Sequence, residues 1–306
     1  RLMLSGQRAS GIAAGLAAGA LWGLVFVAPR MMPGLSAVDV ASGRFLTYGL
    51  VSLLAMAWMG GGFHRIQWPS AKHVLAALAL SLLGFTGYYL LLVLAIRDAA
   101  VEVPTLIIGL IPLWVMLLGK PAGLRWARLL PGGVLTALGL GLMVQSELAS
   151  AQLDTAHFWR GVSLAVLAMA SWTAFSLLNA AWLKRHPDVR ATDWANWLGV
   201  ATGLGALLVF AVAGSDSKTL FRQDGWSFNA ILCIALGVGS AWLATILWNI
   251  ASQRLDASLC GQLIVSETLF ALLYAFVWDG HWPSVAQAGA ALFFSLGILA
   301  AIRAHD

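Results

Sequence analysis

The chain contains ten runs of about twenty mostly apolar residues, separated by short segments that carry charges, proline or glycine. A helix that rises 1.5 Å per residue needs about twenty residues to cross the roughly 30 Å hydrocarbon core of a bilayer. The runs lack the alternation of apolar and polar residues that membrane β-strands show, and a helix satisfies its own backbone hydrogen bonds in lipid. We therefore predict an all-α membrane protein.

Ten spans of about twenty-one residues use about two thirds of the chain, so the connections are short and leave no room for a soluble domain. The first run is long enough to span and lacks a cleavage site, which predicts a true span and not a signal peptide. The predicted helices cover residues 11–31, 37–59, 73–96, 101–119, 128–146, 159–183, 191–213, 229–251, 256–277 and 284–303.

Composition agrees with a membrane location, because 60% of the residues are hydrophobic and only 10% are charged, against about 25% charged in soluble domains. The net charge of +5 comes without a basic cluster, so we expect the bilayer, and no nucleic acid, as the partner of the chain. Cys233 and Cys260 both fall in apolar runs, which indicates no disulfide framework.

Lysine and arginine predict the orientation. With the N-terminal side taken as inside, twelve of these residues lie inside, five lie outside, and Arg44 lies within the second helix. Cytoplasmic segments carry the excess of positive charge. We expect a multi-pass protein of the bacterial inner membrane with both termini in the cytoplasm.

The chain reads as two similar halves, residues 1–150 and 151–306. Residues 82–114 in the first half parallel residues 235–270 in the second, with a glycine-rich start, aromatic positions, a short charged turn and a second span. Because each half has five helices, the second enters the membrane from the opposite side, which predicts inverted repeats. Inverted repeats with a substrate site between the halves are typical of alternating-access transporters.

Short motifs support a family resemblance. They are W-G at 22–23, R-F at 44–45, Pro112 in helix four and Glu267 in helix nine. With ten helices, this pattern resembles the EamA branch of the drug/metabolite transporter superfamily. The resemblance implies a basket of helices around a central cavity and export of aromatic and other neutral amino acids. Members often place a proline after the glutamate of helix nine, whereas this chain has Thr268, so the residue that would kink this helix is missing.

Two residues near the middle of predicted helices have several interpretations. A carboxylate at the bilayer midplane is costly unless it is paired or hydrated, so Glu267 is a candidate for contacting a substrate ammonium group, for proton coupling, or for holding helix nine in place. Pro112 removes one helical hydrogen bond at the carbonyl of Ile108. It either kinks helix four or exposes an acceptor.

Arg44 is the one lysine or arginine that lies inside a predicted span and away from its ends. One interpretation is attraction of a substrate carboxylate at the outer mouth. The other is a structural anchor that pairs with a carboxylate such as Asp39 or Glu102.

Aromatic residues deep in the predicted helices suit a cavity for a flat, mostly apolar side chain, although ordinary packing remains the alternative for each. The predicted substrate-binding aromatic residues are Trp22, Tyr88, Tyr89, Trp114, Trp172 and Trp248.

Neutral polar residues at similar depth are predicted to bind the polar ends of a zwitterion, with hydrogen bonding between helices as the alternative. They are Asn179, Ser240, Asn249, Gln262 and Ser266.

Glycines spaced by four predict close helix packing. The two stripes are Gly11, Gly15 and Gly19 on helix one, and Gly199 and Gly203 on helix seven.

No P-loop, catalytic triad or metal-ligand spacing is evident in the sequence. We therefore expect neither an enzyme nor a cofactor or metal, and we expect a monomer. The sequence favours a secondary transporter that exports aromatic and other neutral amino acids by alternating access. The alternative is an exporter of another small metabolite or of a drug-like cation, and the direction of transport follows from the family resemblance alone.

Overall fold

The computed structural model describes residues 2–99, 102–148 and 157–306. These parts of the chain form helices and turns and contain no strand. Besides a 3₁₀ turn at Phe63–Arg65 and a six-residue helix at Ser217–Arg222, the helices are α1 Leu2–Met31, α2 Ala37–Gly60, α3 Ala71–Ala99, α4a Glu102–Ile108, α4b Ile111–Leu118, α5 Trp126–Leu148, α6 Phe158–Arg185, α7 Ala191–Ala213, α8 Trp226–Arg254, α9a Ala257–Leu263, α9b Val265–Asp279 and α10 Val285–Ala304.

Within the described residues, nine helices are long and apolar enough to cross a membrane, which confirms the predicted all-α membrane class. The fourth predicted helix differs, because residues 101–119 do not form one continuous helix. The chain turns at Gly109 and Leu110 between α4a and α4b. Pro112 lies in the first turn of α4b, where its missing N–H group costs no hydrogen bond.

The ninth helix is also interrupted, at Ile264 and without a proline. The Ser266 hydroxyl donates to the Leu263 carbonyl at 2.6 Å, and the Glu267 N–H donates to the Ile264 carbonyl at 2.9 Å. A serine that bonds back to the preceding turn competes with the regular helical pattern. A break is therefore present even though Thr268 replaces the expected proline.

Two further helices contain wide π-helical turns, at Leu82–Thr86 in α3 and at Gly237–Leu243 in α8. Side chains of neighbouring helices bind carbonyls in both turns: Ser171 donates to Leu83 at 2.6 Å, and Arg44 donates to Ser240 at 3.0 Å. Turns of this kind are frequent at functional sites.

Polar residues and glycines define several helix ends. The Ser36 hydroxyl caps the start of α2, and Ser284 forms a capping box with Gln287 at the start of α10. Gly61 and Gly280 adopt the left-handed conformation that ends α2 and α9b, which glycine adopts without steric cost.

The helices pack in pairs: α2 lies along α7, α5 along α10, α3 along α6, and α1 along α8 and α9b. Both predicted glycine stripes are at these contacts. On α1, Gly11 packs on Arg254, Gly15 on Leu263 and Gly19 on Ser266; on α7, Gly199 packs on Ser52 and Gly203 on Gly49.

The bundle has a first face, where α1 begins, and a second face, where α1 ends. The side chains of Arg8 and Asp306 form an ion pair on the first face, so both ends of the chain lie on one side. On the second face, Arg160 of α6 donates to the Asp98 carboxylate of α3 at 2.5 and 3.0 Å. The predicted boundary between the halves, at residues 150 and 151, lies outside the described residues.

The extensive contact between the two interrupted helices lies on the first face. There α4b packs on α9a, with Gly119 against Ala257 and Gly261 against Val115. In the part of the chain that the structure describes, α4a packs on α3, α5 and α6, whereas α9b packs on α1 and α10. The two broken helices therefore diverge towards the second face.

Candidate substrate site

Three indole rings from three helices meet near the centre of the bundle. The ring of Trp22 on α1 lies 6.0 Å from Trp172 on α6 and 5.4 Å from Trp248 on α8, and the latter two rings are 5.9 Å apart. We call these residues the tryptophan triad. The interplanar angles of 84°, 49° and 49° leave no face-to-face stack, and spacings of this size are favourable for aromatic pairs.

Phenylalanine rings extend the triad towards α2 and α3. Phe175 lies 5.7 Å from Trp172, and Phe85 lies 5.4 Å from Phe175 and 6.0 Å from Phe45. These three are not among the site residues predicted from the sequence, since single phenylalanines in apolar runs look like ordinary core. Gly84 was a usable signal, because its missing side chain admits the ring of Phe175.

Arg44 is buried, with 9% of its surface exposed. Its Nη2 atom donates to the Ser240 carbonyl in the π-helical turn of α8 at 3.0 Å, and the guanidinium carbon lies 5.0 Å from the centre of the Phe45 ring. Asp39, one of its predicted partners, binds Ser215. The side chain of Glu102, the other, lies outside the described residues. Among the described carboxylates none lies within 4.0 Å of Arg44, and its Nε atom is buried without a hydrogen-bond partner.

Glu267 lies in the first turn of α9b and is partly exposed. Its backbone packs against Gly19 and Gly23 of α1, and no described residue forms an ion pair or hydrogen bond with its carboxylate. The carboxylate interacts electrostatically with Arg44 and with Tyr88. Among the described residues, α3 and α9b have no extensive contact.

The predicted residues Asn179 and Asn249 lie in a hydrogen-bond network that joins α6, α7 and α8. Asn179 donates to Asn249 at 3.1 Å and accepts from the indole of Trp194 at 2.6 Å, while Asn249 donates to the Ala191 carbonyl at 3.2 Å. Both asparagines are fully buried. In this structure their polar groups hold helices together, which is the alternative that the sequence left open.

Three more predicted polar residues also bind neighbouring segments. The Ser240 hydroxyl donates to the Leu21 carbonyl of α1 at 2.6 Å. Gln262 donates to the Thr136 hydroxyl of α5. Ser266 takes part in the break of α9. Their role in binding substrate remains a prediction.

The remaining predicted residues lie away from the triad. Tyr89 donates to the Ala37 carbonyl at the start of α2 at 3.0 Å, and its ring is 6.1 Å from Phe45. Trp114, on α4b, is 43% exposed and has no ring contact with a described aromatic residue. Pro112 lies in the first turn of α4b, directly after the break in helix four.

One indole donor of the triad is unusual. The Nε1 atom of Trp248 is buried and has no hydrogen-bond partner among the described residues. Buried polar groups are nearly always paired, so the unpaired N–H group of Trp248 is a donor available to a ligand.

Within the described residues, nine helices of membrane length, one of them interrupted beside the unpaired carboxylate of Glu267, are the architecture of a multi-pass membrane protein. A profile of the EamA-like transporter family matches residues 9–144. The chain is 30% identical over 309 residues to the inner membrane protein YtfF of Escherichia coli (strain K12), covering 96% of this chain and 95% of that protein. The chain therefore belongs to the EamA-like transporter family.

One solved structure, described as the crystal structure of a protein, has a TM-score of 0.74 to this chain at 20% identity. The match covers 97% of this chain and 99% of the other. This similarity shows that the two share a fold.

Proposed function

We propose that this protein is a secondary transporter that exports aromatic and other neutral amino acids by alternating access. The observation that carries the proposal is the tryptophan triad together with Arg44 and Glu267, which have opposite charges and no ion-pair partner in the part of the chain that the structure describes. Indole rings suit a flat apolar side chain, and the two charges suit the carboxylate and ammonium groups of an amino acid.

The packing of the helices supports an inverted repeat. Exchanging the first five helices with the last five leaves the pairs α2–α7 and α5–α10 unchanged, and it converts α1–α8 into α6–α3, which is also a packed pair. The breaks in α4 and α9 and the π-helical turns in α3 and α8 exchange in the same way. Alternating access by rocking of two such halves is the mechanism we propose.

The divergence of α4a and α9b leads us to propose that this structure corresponds to the state that is open at the second face. The excess of lysine and arginine at the first face favours the cytoplasm there, so the open side is the outer side. Tight packing of α4b on α9a then forms the inner gate.

The inner membrane is the location we propose, since YtfF is an inner membrane protein. The amino-acid substrate rests on the aromatic site and on a resemblance, in overall character, to the bacterial aromatic amino acid exporter YddG. A drug-like cation is the second candidate, because the unpaired Glu267 carboxylate and the indole rings together also suit a cation.

Counterflow in proteoliposomes tests the proposal. Vesicles loaded with unlabelled tryptophan, phenylalanine or threonine should accumulate the same labelled amino acid from outside, with saturation and with loss of the signal when the internal amino acid is omitted. Empty vesicles and vesicles with heat-denatured protein are the controls. Accumulation of labelled cations but of no amino acid would favour the second candidate.

A further inference from the structure

We propose that Arg44 and Glu267 form a split charge pair that binds the carboxylate and the ammonium group of one zwitterionic substrate at the same time. This inference rests on the proposed function and deepens it, because it assigns a residue to each charged group of the substrate and excludes amines and acids that carry one charge.

Hydrogen bonds and backbone packing link Arg44 to Glu267 through α8 and α1. Arg44 of α2 binds the Ser240 carbonyl of α8, and the Ser240 hydroxyl binds the Leu21 carbonyl of α1. Leu21 lies between the two glycines of α1 that pack on the backbone of Glu267. Two short steps across α1 therefore connect the cation to the carboxylate, and the two groups interact electrostatically.

Neither Arg44 nor Glu267 has an ion-pair partner among the described residues. Opposite charges buried in a bundle normally form a direct pair, since an unpaired charge in a membrane interior is costly. Arg44 and Glu267 form no ion pair, since no nitrogen of Arg44 lies within 4.0 Å of a carboxylate oxygen of Glu267, although each has unused bonding capacity. A guanidinium carries five N–H donors, and in the described structure Arg44 forms one hydrogen bond, through Nη2, while its Nε lacks a partner.

A zwitterionic amino acid carries the two charges that would satisfy both residues. An α-amino acid carries its ammonium and carboxylate groups on one carbon atom, so it presents both charges close together and fits between a cation and an anion that do not touch. We place the substrate side chain at the tryptophan triad, since Trp22 lies on α1, the helix that packs on Glu267 through Gly19 and Gly23. Tyr88, the electrostatic neighbour of both charges, lies beside the same gap.

Displacement of labelled tryptophan from purified protein, measured by scintillation proximity, tests the inference. The competitors are tryptophan, tryptamine, which lacks the carboxylate, and indole-3-propionate, which lacks the ammonium group. On the unmodified protein, losing either charge should weaken binding by about tenfold or more, as expected for close charge pairs. Equal binding of all three competitors overturns the inference without the use of any variant.

Two variants then assign the charges. In Arg44→Gln, removing the carboxylate from the ligand should weaken binding by less than about threefold, because the partner of the carboxylate is already absent. Removing the ammonium group from the ligand should still weaken binding of this variant by about tenfold or more. Glu267→Gln should show the reverse pattern. Non-additive losses of this kind are the signature of a direct interaction.

Controls keep the outcomes distinct. Arg160→Gln removes a second-face cation that binds Asp98, and it should leave the order of the three competitors unchanged. If Arg44→Gln fails to fold, Arg44→Lys keeps the charge and should retain the preference for tryptophan over tryptamine. Additive losses in the variants overturn the split charge pair alone. Absence of saturable tryptophan binding to folded protein overturns the proposed function and the inference with it.

Discussion

The unpaired indole donor of Trp248 leads to a prediction in which stability and transport change in different ways. Trp248 and Trp194 are both almost fully buried, with exposed fractions of 1% and 0%. The N–H group of Trp194 binds Asn179 at 2.6 Å, whereas that of Trp248 binds no described residue. Replacing each with phenylalanine removes one indole of similar burial, so the loss of packing largely cancels when the two variants are compared.

The hydrogen bonds give the magnitude. Trp248→Phe removes an unsatisfied buried donor, which costs the folded protein about 1–3 kcal/mol. Trp194→Phe leaves the Asn179 oxygen without its donor, at a cost of about 1–3 kcal/mol. The free energy of unfolding of Trp248→Phe should therefore exceed that of Trp194→Phe by about 2–6 kcal/mol. Thermal unfolding in detergent should order the variants accordingly, with midpoints at least about 3 °C apart.

Transport should show the opposite order. If the Trp248 donor binds substrate, its loss removes about 0.5–1.5 kcal/mol, and the KM for counterflow should rise by about two- to twelvefold. Folded Trp194→Phe should keep the KM of the unmodified protein. Equal melting temperatures, or equal KM values in both variants, would refute the reasoning.

Two further predictions concern packing and orientation. Gly203→Ala places a Cβ atom 2.9 Å from the Cα atom of Gly49 and should lower the free energy of unfolding by about 1–3 kcal/mol. The control Gly141→Ala has nothing within 4 Å of the new Cβ atom and should leave the free energy of unfolding unchanged or raise it by up to about 1 kcal/mol. Denaturation in detergent measures both variants, and equal effects would contradict the packing at Gly203. A membrane-impermeant maleimide should label Lys218→Cys in intact cells, whereas it should label Asp306→Cys only after permeabilisation. The native cysteines are buried and should give no background labelling. The reverse pattern would invert the proposed orientation.

The sequence predicts the fold well where one physical rule dominates. The length of an apolar run decides whether a helix can span, so nine spans were found with ends within about three residues, except that α1 begins at Leu2 and not at residue 11. Glycines at a spacing of four lie on one face of a helix, so Gly15 and Gly203 could be placed in contacts before their partners were known. The class of the protein follows from the same rules.

The interior of the helices was harder to predict, because it depends on hydrogen bonds between segments distant in sequence. The break at Ile264 results from serine bonding in place of the proline that the family pattern suggests. The π-helical turn of α8 carries the carbonyl that binds Arg44, and no local pattern marks it. Asn179 could be placed at the right depth, but its neighbours Trp194 and Asn249 come from other helices.

These difficulties have one cause that also bears on function. A transporter site needs polar groups that are incompletely bonded in each state, and the sequence shows the presence of such groups but not which of them already have partners. The structure separates the two sets. Asn179 and Asn249 are bonded to neighbouring helices, whereas Arg44, Glu267 and the donor of Trp248 retain free capacity. Substitutions of Arg44, Glu267 and Trp248 should therefore change substrate specificity, whereas substitutions of Asn179 and Asn249 should change stability.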